Sequence, residues 1–379
     1  MNSTQQEAPV QLQTRLPHWA AGVLVGVMLA GLWQFASAIG QWSDMVIPQA
    51  ASDFREGRTT GAIEKQIDQK MPARSSLIAS ANALRFSLLQ GANEQVRVGR
   101  SDWLFLTEEL QYDAQAQRNM AARLSLLGQT AHALQGKGVQ LLLAVVPDKA
   151  RIYEQYLPTG HYPEYNAMRY QAAIAGLQSH GVAVLDLLTV LQDAAKTQEV
   201  YYRTDTHWNQ VGAKVAALAL AKRLREMQVP LGDTAYRIVQ ATTASERAGD
   251  LIRLMGLEQV PNWLRPLPDQ EAIQKIDAIS STSQNSLFGG SAVAVVLTGT
   301  SYSLRGNFHG HLQQALSSQV LNAAKDGGGF LQATGDYLKD EAFKTEPPQV
   351  IVWEVPERFM TLPLTQESTW LKTQQLAVH

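Results

Sequence analysis

Four short, continuous apolar runs constrain the fold of this chain more than any other feature of its sequence. Between them lie segments with apolar residues at helical spacing, such as residues 114–135 and 209–227. Buried apolar strands that alternate with helices are typical of a mostly parallel sheet covered by helices on both faces. We therefore predict an α/β fold, a three-layer sandwich around such a sheet. The predicted strands are residues 140–146, 182–186, 292–297 and 349–353.

The composition excludes several classes of protein. Of the 379 residues, 45% are hydrophobic, which is enough for a large core and excludes a disordered chain. The net charge of −2 leaves no basic excess, so we expect no nucleic-acid partner. The chain has no cysteine, which excludes disulfides, zinc–thiolate sites and cysteine nucleophiles. We predict one α/β domain over residues 76–379, with residues 228–290 as an insertion of loops and short elements.

One long apolar segment lies near the N-terminus. Residues 19–39 carry no charge, and as a helix they would span ~31 Å, about one hydrocarbon core. We predict a transmembrane signal-anchor there, preceded by a short cytoplasmic tail (residues 1–18) and followed by a stalk (residues 40–75). Two alternatives stay open: a signal peptide cleaved near Ala36-Ser37-Ala38, which would leave a soluble exported protein, and a buried core helix. The first two interpretations place the large domain outside the cytoplasm.

The first candidate site opens the predicted helix 209–227. Asp205 lies two residues before His207, so its carboxylate can bind one ring nitrogen and leave the other free to act as a base. The alternative is a helix cap, because Thr and Asp side chains are common at helix N-termini. A cap requires no histidine, so the pattern leaves both interpretations open.

The second candidate site follows the third predicted strand. Gly299 and Ser301 form a Gly-x-Ser turn that would expose a hydroxyl near backbone N–H groups able to stabilise an oxyanion. The alternative is an ordinary Ser/Thr-rich turn between a strand and a helix. Ligands of open α/β sheets bind past the carboxyl ends of the strands, where Asp205, His207 and Ser301 would meet. The combination of these three residue types favours serine-based catalysis.

Charged residues follow two other predicted strands. Glu354 and Arg358, four residues apart, could pair beside the site or form an ordinary surface ion pair. Lys149 and Arg151 could meet a substrate carboxylate or be solvated charges at the start of a helix. Both interpretations stay open for each pair.

Two further histidines raise the question of a metal. His309 and His311 form a His-x-His pair, which together with Asp205 and His207 would offer ligands for zinc. No further spaced cluster of ligands supports such a site. We therefore expect neither a metal ion nor a cofactor.

Several motifs appear together in the order of a known family. Asp205-Thr-His-Trp208, the Gly212-Ala213 pair in the following helix and the Gly299–Ser303 block resemble the AlgJ/AlgX family of polysaccharide O-acetyltransferases. The similarity is greatest to the membrane-anchored alginate and cellulose acetylation proteins, and it covers residues 95–360. Further matching segments are residues 99–106, 147–149, 249–251 and 353–358.

This resemblance implies an SGNH-hydrolase-like fold with a permuted motif order, because the Asp-x-His block precedes the serine. It also implies that Ser301 is the nucleophile, His207 the general base and Asp205 the carboxylate that orients it. Asn307 is the candidate for a side-chain oxyanion donor. The residues expected to bind substrate or to support the site are Tyr302, Trp208, Lys149, Arg151, Glu354 and Arg358.

The resemblance further implies transfer of acetyl groups onto an exopolysaccharide through an acetyl-serine intermediate. The expected location is the bacterial inner membrane, with one membrane span and the catalytic domain in the periplasm. The implied partners are a membrane-bound O-acyltransferase that supplies acetyl, the exopolysaccharide acceptor, and other polysaccharide acetylation and secretion proteins. Two alternatives remain: a carbohydrate acetyl-esterase with the same three residues, and a non-catalytic scaffold of a polysaccharide secretion complex.

The sequence leaves the acceptor open between alginate and cellulose. Alginate, a polymer of uronates, would favour a basic groove, whereas cellulose would favour aromatic platforms. The candidates for a basic groove are Lys149, Arg151 and Arg305. The candidates for aromatic platforms are Trp208, Tyr302 and Trp353.

Overall fold

A computed structural model describes residues 74–89, 91–279, 293–365 and 367, together with positions 26, 29 and 31–33. The chain divides into two compact units, residues 1–81 and 82–379, and every described strand lies in the second. The strands are β1 (Val96–Val98), β2 (Leu104–Leu106), β3 (Gln140–Val146), β4 (Ala183–Asp186), β5 (Tyr236–Gln240), β6 (Ser245–Arg247), β7 (Asp269–Glu271), β8 (Gln274–Ala278), β9 (Val295–Thr298), β10 (Val320–Asn322) and β11 (Val350–Pro356).

Five of these strands form the central sheet, in the order β10-β9-β11-β3-β4, and all neighbouring pairs are parallel. β11 is buried along its whole length, and six of the seven residues of β3 are buried. The apolar runs therefore form strands because both of their faces are covered. The predicted α/β fold with a mostly parallel sheet is confirmed.

Helices follow most strands of this sheet. They are α1 (Arg74–Leu89), α2 (Thr107–Leu110), α3 (Ala116–Gln135), α4 (Lys149–Ile152), α5 (Glu164–Ala167), α6 (Arg169–Ser179), α7 (Leu188–Ala195), α8 (Gln210–Glu226), α9 (Asp250–Leu254), α10 (Phe308–Leu316), α11 (Gln332–Tyr337) and α12 (Glu341–Thr345). α3 and α6 pack on each other and on β3 and β4, whereas α8 packs on α7 and α10. Four 3₁₀ turns complete the described elements: Glu154–Tyr156, Asn262–Leu264, Ser301–Leu304 and Glu357–Met360.

The order of the strands creates a crevice at the carboxyl edge of the sheet. The chain runs from β3 outward to β4, later from β9 outward to β10, and then returns through β11 between β3 and β9. In open parallel sheets, ligands bind where the direction of winding reverses. The ends of β3, β9 and β11 therefore border the expected binding crevice.

The predicted insertion has its own small elements. β5 pairs with β8 and β6 pairs with β7, both antiparallel, and α9 lies between them in the chain. Residues 280–290, the end of the predicted insertion, lie outside the described residues.

The N-terminal predictions fall mostly outside the described part of the chain. In the predicted membrane segment 19–39, only positions 26, 29 and 31–33 are described, and they are helical. Residues 1–18 and all but the last two residues of the predicted stalk 40–75 are outside as well. Among the described residues, no helix is both long and apolar enough to cross a membrane. The signal-anchor therefore stays a prediction.

Candidate active site

Ser301 is held at the end of β9 by a turn that only glycine can make. Gly299 has φ +142°, and a Cβ atom there would lie 2.5 Å from the carbonyl oxygen of Glu354 and 2.8 Å from its Oε2. The turn thus lies directly against β11. Thr300 accepts a hydrogen bond from the N–H of Tyr302 (3.3 Å), and Ser301 then begins a 3₁₀ turn. The N–H of Ser301 donates to no acceptor within the described ranges, so it is free to face an oxyanion.

Glu354, in the neighbouring strand β11, holds this serine turn in place through hydrogen bonds. Its buried carboxylate accepts hydrogen bonds from the N–H of Thr300 (2.8 Å), the hydroxyl of Thr300 (3.0 Å) and the hydroxyl of Ser303 (3.1 Å). Burial raises the pKa of Glu354. The possible ion pair between Glu354 and Arg358 is not formed. The hydrogen bonds of Glu354 come from Thr300 and Ser303, and within the described ranges the carboxylate at ion-pair distance from Arg358 is that of Glu108.

His207 connects the nucleophile candidate to a carboxylate. Its Nε2 lies 2.7 Å from Ser301 Oγ, and its Nδ1 lies 2.6 Å from Asp205 Oδ1. The backbone N–H of His207 also donates to Asp205 Oδ1, at 3.0 Å. Asp205 and His207 are buried and Ser301 is partly buried. The structure therefore brings together the three residues that the sequence places at separate strand and helix ends.

The helix cap that competed with this interpretation is formed by a different residue. Asn209 caps α8, because its side chain accepts hydrogen bonds from the N–H groups of Val211 and Gly212, both at 3.0 Å. Asp205 bonds to His207 instead. In the Thr204-Asp205-Thr206 sequence before α8, Asp205 therefore orients His207 and does not cap the helix.

The second oxygen of Asp205 is held by two residues of the insertion. Arg247 Nη1 lies 2.9 Å from Asp205 Oδ2, and the N–H of Asp250 donates to the same oxygen at 3.0 Å. Burial alone would raise the pKa of Asp205. The hydrogen bonds from His207 and the charge of Arg247 outweigh that effect and hold the pKa well below its usual range. Asp205 therefore stays ionised beside the imidazole.

Asp250 adds a second carboxylate beside His207. Its Oδ2 lies 3.5 Å from His207 Nδ1, and its Oδ1 accepts hydrogen bonds from the N–H (2.7 Å) and the hydroxyl (3.1 Å) of Thr206. Burial and the charge of Asp205 raise the pKa of Asp250. The backbone reaches this position because Gly249 packs so closely on Thr204 that a Cβ atom would lie 2.0 Å from its carbonyl oxygen.

Sequence reasoning missed the roles of Arg247 and Asp250. The available signal for Asp250 was the Gly249-Asp250-Leu251 segment, which is part of the family resemblance. Asp205, His207 and Asp250 could together surround a cation. Their atoms are instead occupied by the hydrogen bonds given above, so we assign no metal role to them.

The His-x-His pair lies apart from this group. His309 Nε2 lies 2.7 Å from the carbonyl oxygen of Val320. His311 is buried in α10, where burial lowers its pKa to about 4, and its ring nitrogens have no hydrogen-bond partner within the described ranges. Neither histidine lines the cavity around Ser301.

Lys149 and Arg151 support the site from the interior of the protein. Lys149 is fully buried, and its Nζ donates to the carbonyl oxygens of Leu104 (2.6 Å), Arg203 (2.8 Å) and Asp205 (2.9 Å). Burial lowers the pKa of Lys149 to about 8. Arg151 pairs with the buried Glu357 at 2.5 Å. Neither of the two open interpretations, contact with a substrate carboxylate or a solvated charge at a helix start, fits these side chains, because their charged groups are engaged inside the protein.

The aromatic candidates are likewise internal. Trp208, Tyr302 and Trp353 are each at most 1% exposed, so they cannot act as platforms for a sugar. Trp208 Nε1 donates to the carbonyl of Tyr302 (3.1 Å), and the Tyr302 hydroxyl donates to the carbonyl of Thr206 (2.9 Å). Trp208 and Tyr302 thus fasten the histidine loop to the serine turn.

Asn307 is not an oxyanion donor. Its side-chain amide donates to the carbonyl of Gln274 at 3.1 Å, and its backbone begins α10 in the left-handed region (φ 55°). It is absent from the wall of the cavity around Ser301.

A cavity of about 500 Å³ opens above Ser301 and His207. Four arginines line it, as do Asp205, Asp250 and Asp326, together with the glycine loop 327–329 and Phe359. Arg305, one of the basic-groove candidates, is in this wall and pairs with Asp326 at 2.7 Å. The other cavity arginines are Arg247, Arg253 and Arg358. The arrangement can deprotonate a serine, stabilise an oxyanion and attract anionic groups.

Comparison with known proteins agrees with this geometry. The family model described as "SGNH hydrolase-like domain, acetyltransferase AlgX" matches residues 96–357. A probable alginate O-acetylase AlgJ of Pseudomonas syringae pv. tomato is 34% identical over 343 residues, which cover 89% of this chain and 86% of that protein. The alginate biosynthesis protein AlgX of Pseudomonas putida is 30% identical over 287 residues, which cover 72% of this chain and 57% of that protein.

A solved structure matches as well. The O-acetyltransferase domain of Pseudomonas putida AlgJ superimposes with a TM-score of 0.66 at 34% identity, and the match covers 74% of this chain and 99% of that domain. The family model spans well over half of the chain, and a relative above 30% identity aligns over most of its length. The chain therefore belongs to the family of SGNH hydrolase-like acetyltransferase domains exemplified by AlgX.

Proposed function

We propose that this protein is an O-acetyltransferase that moves acetyl groups onto a polysaccharide through an acetyl-Ser301 intermediate. The observation that carries the proposal is the hydrogen-bonded chain from Ser301 Oγ through His207 to the ionised Asp205, at the wall of an open cavity. Membership of the acetyltransferase family supports the choice of acetyl as the transferred group.

The reaction takes place in two balanced steps. His207 Nε2 accepts the proton of Ser301 Oγ while Oγ attacks the acetyl carbonyl, and the donor's leaving group departs with that proton. In the second step, His207 accepts the proton of a sugar hydroxyl, which attacks the acetyl-serine ester, and the proton returns to Ser301. The free N–H of Ser301 stabilises the oxyanion in both steps.

We propose a polyuronate such as alginate as the acceptor. The relatives at 32–35% identity are named probable alginate O-acetylases, and four arginines surround the cavity. Cellulose is a weaker candidate, since the three aromatic residues offered for it are buried in the core.

The location and partners follow from the same proposal. An exported polysaccharide and a cytoplasmic acetyl donor lie on opposite sides of a membrane, so a membrane-bound O-acyltransferase is the proposed source of acetyl. The similarity to AlgX suggests other alginate biosynthesis proteins as partners. We place the domain in the periplasm, anchored by residues 19–39. Alkaline phosphatase fused after residue 45 should then be active in cells, and an inactive fusion would contradict this orientation.

Incubation with p-nitrophenyl acetate, followed by intact-mass measurement, tests the chemistry. Wild-type protein should gain one acetyl group and Ser301→Ala should gain none. Addition of an oligomannuronate should then move the acetyl group to the sugar.

Two other outcomes would identify the alternative functions. Release of acetate with no acetylated sugar would indicate an acetyl-esterase. If wild type and Ser301→Ala both show neither label nor turnover, while secretion in cells survives the substitution, the protein would be a scaffold.

A further inference from the structure

Arg358 is a buried cation whose side chain makes no hydrogen bond to a carboxylate among the described residues, although Glu108, Glu109 and Asp148 lie near enough to act on its charge. Its side chain is 9% exposed, and its Nε and Nη1 atoms have no hydrogen-bond partner in the described part of the chain. The nearest carboxylate oxygen, Oε2 of the half-exposed Glu108, is 3.5 Å from Nε. A charge removed from water is costly unless a partner compensates it. A guanidinium in this state is therefore suited to receive an anion.

Five other buried or cavity-lining arginines differ from Arg358. Arg123 pairs with Glu367 at 2.5 Å, Arg151 pairs with Glu357, and Arg169 binds the carboxylates of Asp148 and Glu357. Arg247 binds Asp205, and Arg305 binds Asp326. Each of these guanidiniums is already paired within the chain. Arg358 thus differs from these five arginines in that its guanidinium makes no hydrogen bond to a carboxylate of the described residues.

The position of Arg358 directs it to the reacting groups. It follows β11, which lies between β9 and β3, so it is at the same carboxyl edge of the sheet as Ser301. Both residues line the same cavity. The exposed Arg253 of α9 lines it too and makes no ion pair among the described residues. An anionic substrate group that enters this cavity would therefore meet two guanidiniums that hydrogen-bond to no carboxylate of the described residues.

We propose that Arg358, together with Arg253, binds the carboxylate of the acceptor sugar and so selects a uronate over a neutral sugar. The inference rests on the proposed transfer function and adds the specificity-determining residue to it. A guanidinium suits the task because its planar fork can donate two parallel hydrogen bonds to one carboxylate. A carboxylate held there fixes the sugar ring, and with it the hydroxyl that faces acetyl-Ser301.

Equilibrium binding to the full-length Ser301→Ala protein tests this proposal without catalysis. The probes are an oligomannuronate and a β-linked mannan oligosaccharide of equal length, which carries a hydroxymethyl group in place of each carboxylate. The added Arg358→Gln substitution should weaken oligomannuronate binding by about 10- to 100-fold and leave mannan binding unchanged. Arg358→Lys should recover part of the loss. Arg97→Gln, which removes an exposed arginine outside the cavity, is the matched control and should change neither affinity.

Several results would overturn the proposal. They are equal affinity of the parent protein for the two oligosaccharides, binding of neither, and a loss on Arg358→Gln that is no larger than on Arg97→Gln. A parallel loss of mannan binding would also overturn it, because a carboxylate contact cannot affect a neutral sugar.

Acylation by p-nitrophenyl acetate separates this role from a role in the chemistry of Ser301. The ester carries no carboxylate, so the rate of acetyl-Ser301 formation in Arg358→Gln, with Ser301 intact, should fall by a much smaller factor than the oligomannuronate affinity does. A drop of tenfold or more would mean that Arg358 acts on the oxyanion or on the fold, and the proposal would fail. If the oligomannuronate preference depends on Arg358 but wild type transfers no acetyl to any sugar, the transfer function fails and the binding assignment stands.

Discussion

Two regions of the molecule build the candidate active site by different physical means. The strand-end region (residues 147–152, 298–303 and 354–360) holds its side chains through the sheet and through buried hydrogen bonds such as those of Glu354. The insertion segment (residues 228–279) has only two-stranded ladders, and it contributes the partly exposed side chains of Arg247 and Asp250. The core thus positions the nucleophile candidate Ser301, whereas a peripheral segment supplies the charged groups around His207 and Asp205.

Asp205 is where these two regions meet, so its substitution should have the largest effect. Asp205→Asn removes the charge that stabilises the imidazolium and also disturbs the contacts with Arg247 and Asp250. We expect the rate of acetyl-Ser301 formation from p-nitrophenyl acetate to fall by ~1,000- to 10,000-fold, as expected when the histidine loses its orienting carboxylate. A loss smaller than about tenfold would mean that Asp250 can replace Asp205 and that the insertion segment dominates.

Two glycines allow the regions to be disturbed separately. Gly299→Ala places a Cβ atom against β11 at φ +142°, and Gly249→Ala places one against the carbonyl of Thr204. We expect Gly299→Ala to lower both the melting temperature and the acylation rate, at a cost of ~2–3 kcal/mol of stability. Gly249→Ala should reduce acylation by about tenfold and lower the melting temperature less than Gly299→Ala does, because the backbone that must shift belongs to the insertion segment and not to the central sheet.

The control for this pair is Gly138→Ala. Gly138 has φ +75° with open space around its Cβ position, so the substitution tests backbone strain alone. It should lower stability by ~1 kcal/mol without any effect on acylation. If Gly249→Ala lowers the melting temperature as much as Gly299→Ala does, the two regions unfold together and the comparison between them is incorrect.

The difference between the regions also explains what the sequence could and could not reveal. The strands carrying the nucleophile are continuous apolar runs, and β3 spans the predicted residues 140–146. Gly299 and the Asp-x-His spacing are local signals of a turn and of a paired histidine. The prediction of the parallel sheet, and of the residues at its carboxyl edge, therefore needed only local patterns.

The remaining contacts had no local signal. Arg247 lies 42 residues from Asp205, in a segment without apolar periodicity, so no spacing rule connects them. Lys149 follows a strand as a ligand-binding lysine would, yet three carbonyls, one from β2 and two from the loop before α8, enclose its ammonium group. Whether a charge at a strand end faces the cavity or the core depends on how the neighbouring loops fold, which the sequence pattern does not encode.

Asp250→Asn tests the electrostatic effect of the insertion segment on His207, and its expected effect on the rate is smaller than that of Asp205→Asn. The amide oxygen can still accept hydrogen bonds from Thr206, so the loop should keep its shape, while the negative charge 3.5 Å from His207 Nδ1 disappears. The protonated imidazole then loses a stabilising neighbour. We expect kcat to fall by about tenfold (~1.4 kcal/mol), KM to stay constant, and the acid limb of the pH–rate profile to move to lower pH.

Asp277→Asn, an exposed substitution on β8, is the matched control and should shift nothing. An unchanged acid limb in Asp250→Asn would mean that Asp250 acts only through the shape of the loop. An acid limb at higher pH would contradict the sign of the proposed electrostatic effect.

The smallest expected effect is on the pH dependence of stability. It distinguishes the two regions because the strand-end region buries the carboxyl group of Glu109. Glu109 is fully buried beneath the strand-end region, where its Oε2 accepts the N–H of Ala150 (2.9 Å). Burial, with a contribution from the charge of Asp148, raises the pKa of Glu109 to about 8 from an ordinary value of 4.5. The folded protein thus binds this proton more tightly than the unfolded chain does. Its stabilising contribution is complete below pH 4.5 and is lost as the pH rises through 8.

Glu109→Gln removes that titration and keeps an acceptor for Ala150. The melting temperature of wild type should therefore fall between pH 5 and pH 8 by several degrees more than that of the variant, at ~2–4 °C for each kcal/mol. Glu246→Gln, at an exposed position of the insertion segment, should follow wild type at every pH. If Glu109→Gln does so as well, the folded protein keeps Glu109 ionised, and the strand-end region is no more sensitive to pH than the insertion segment.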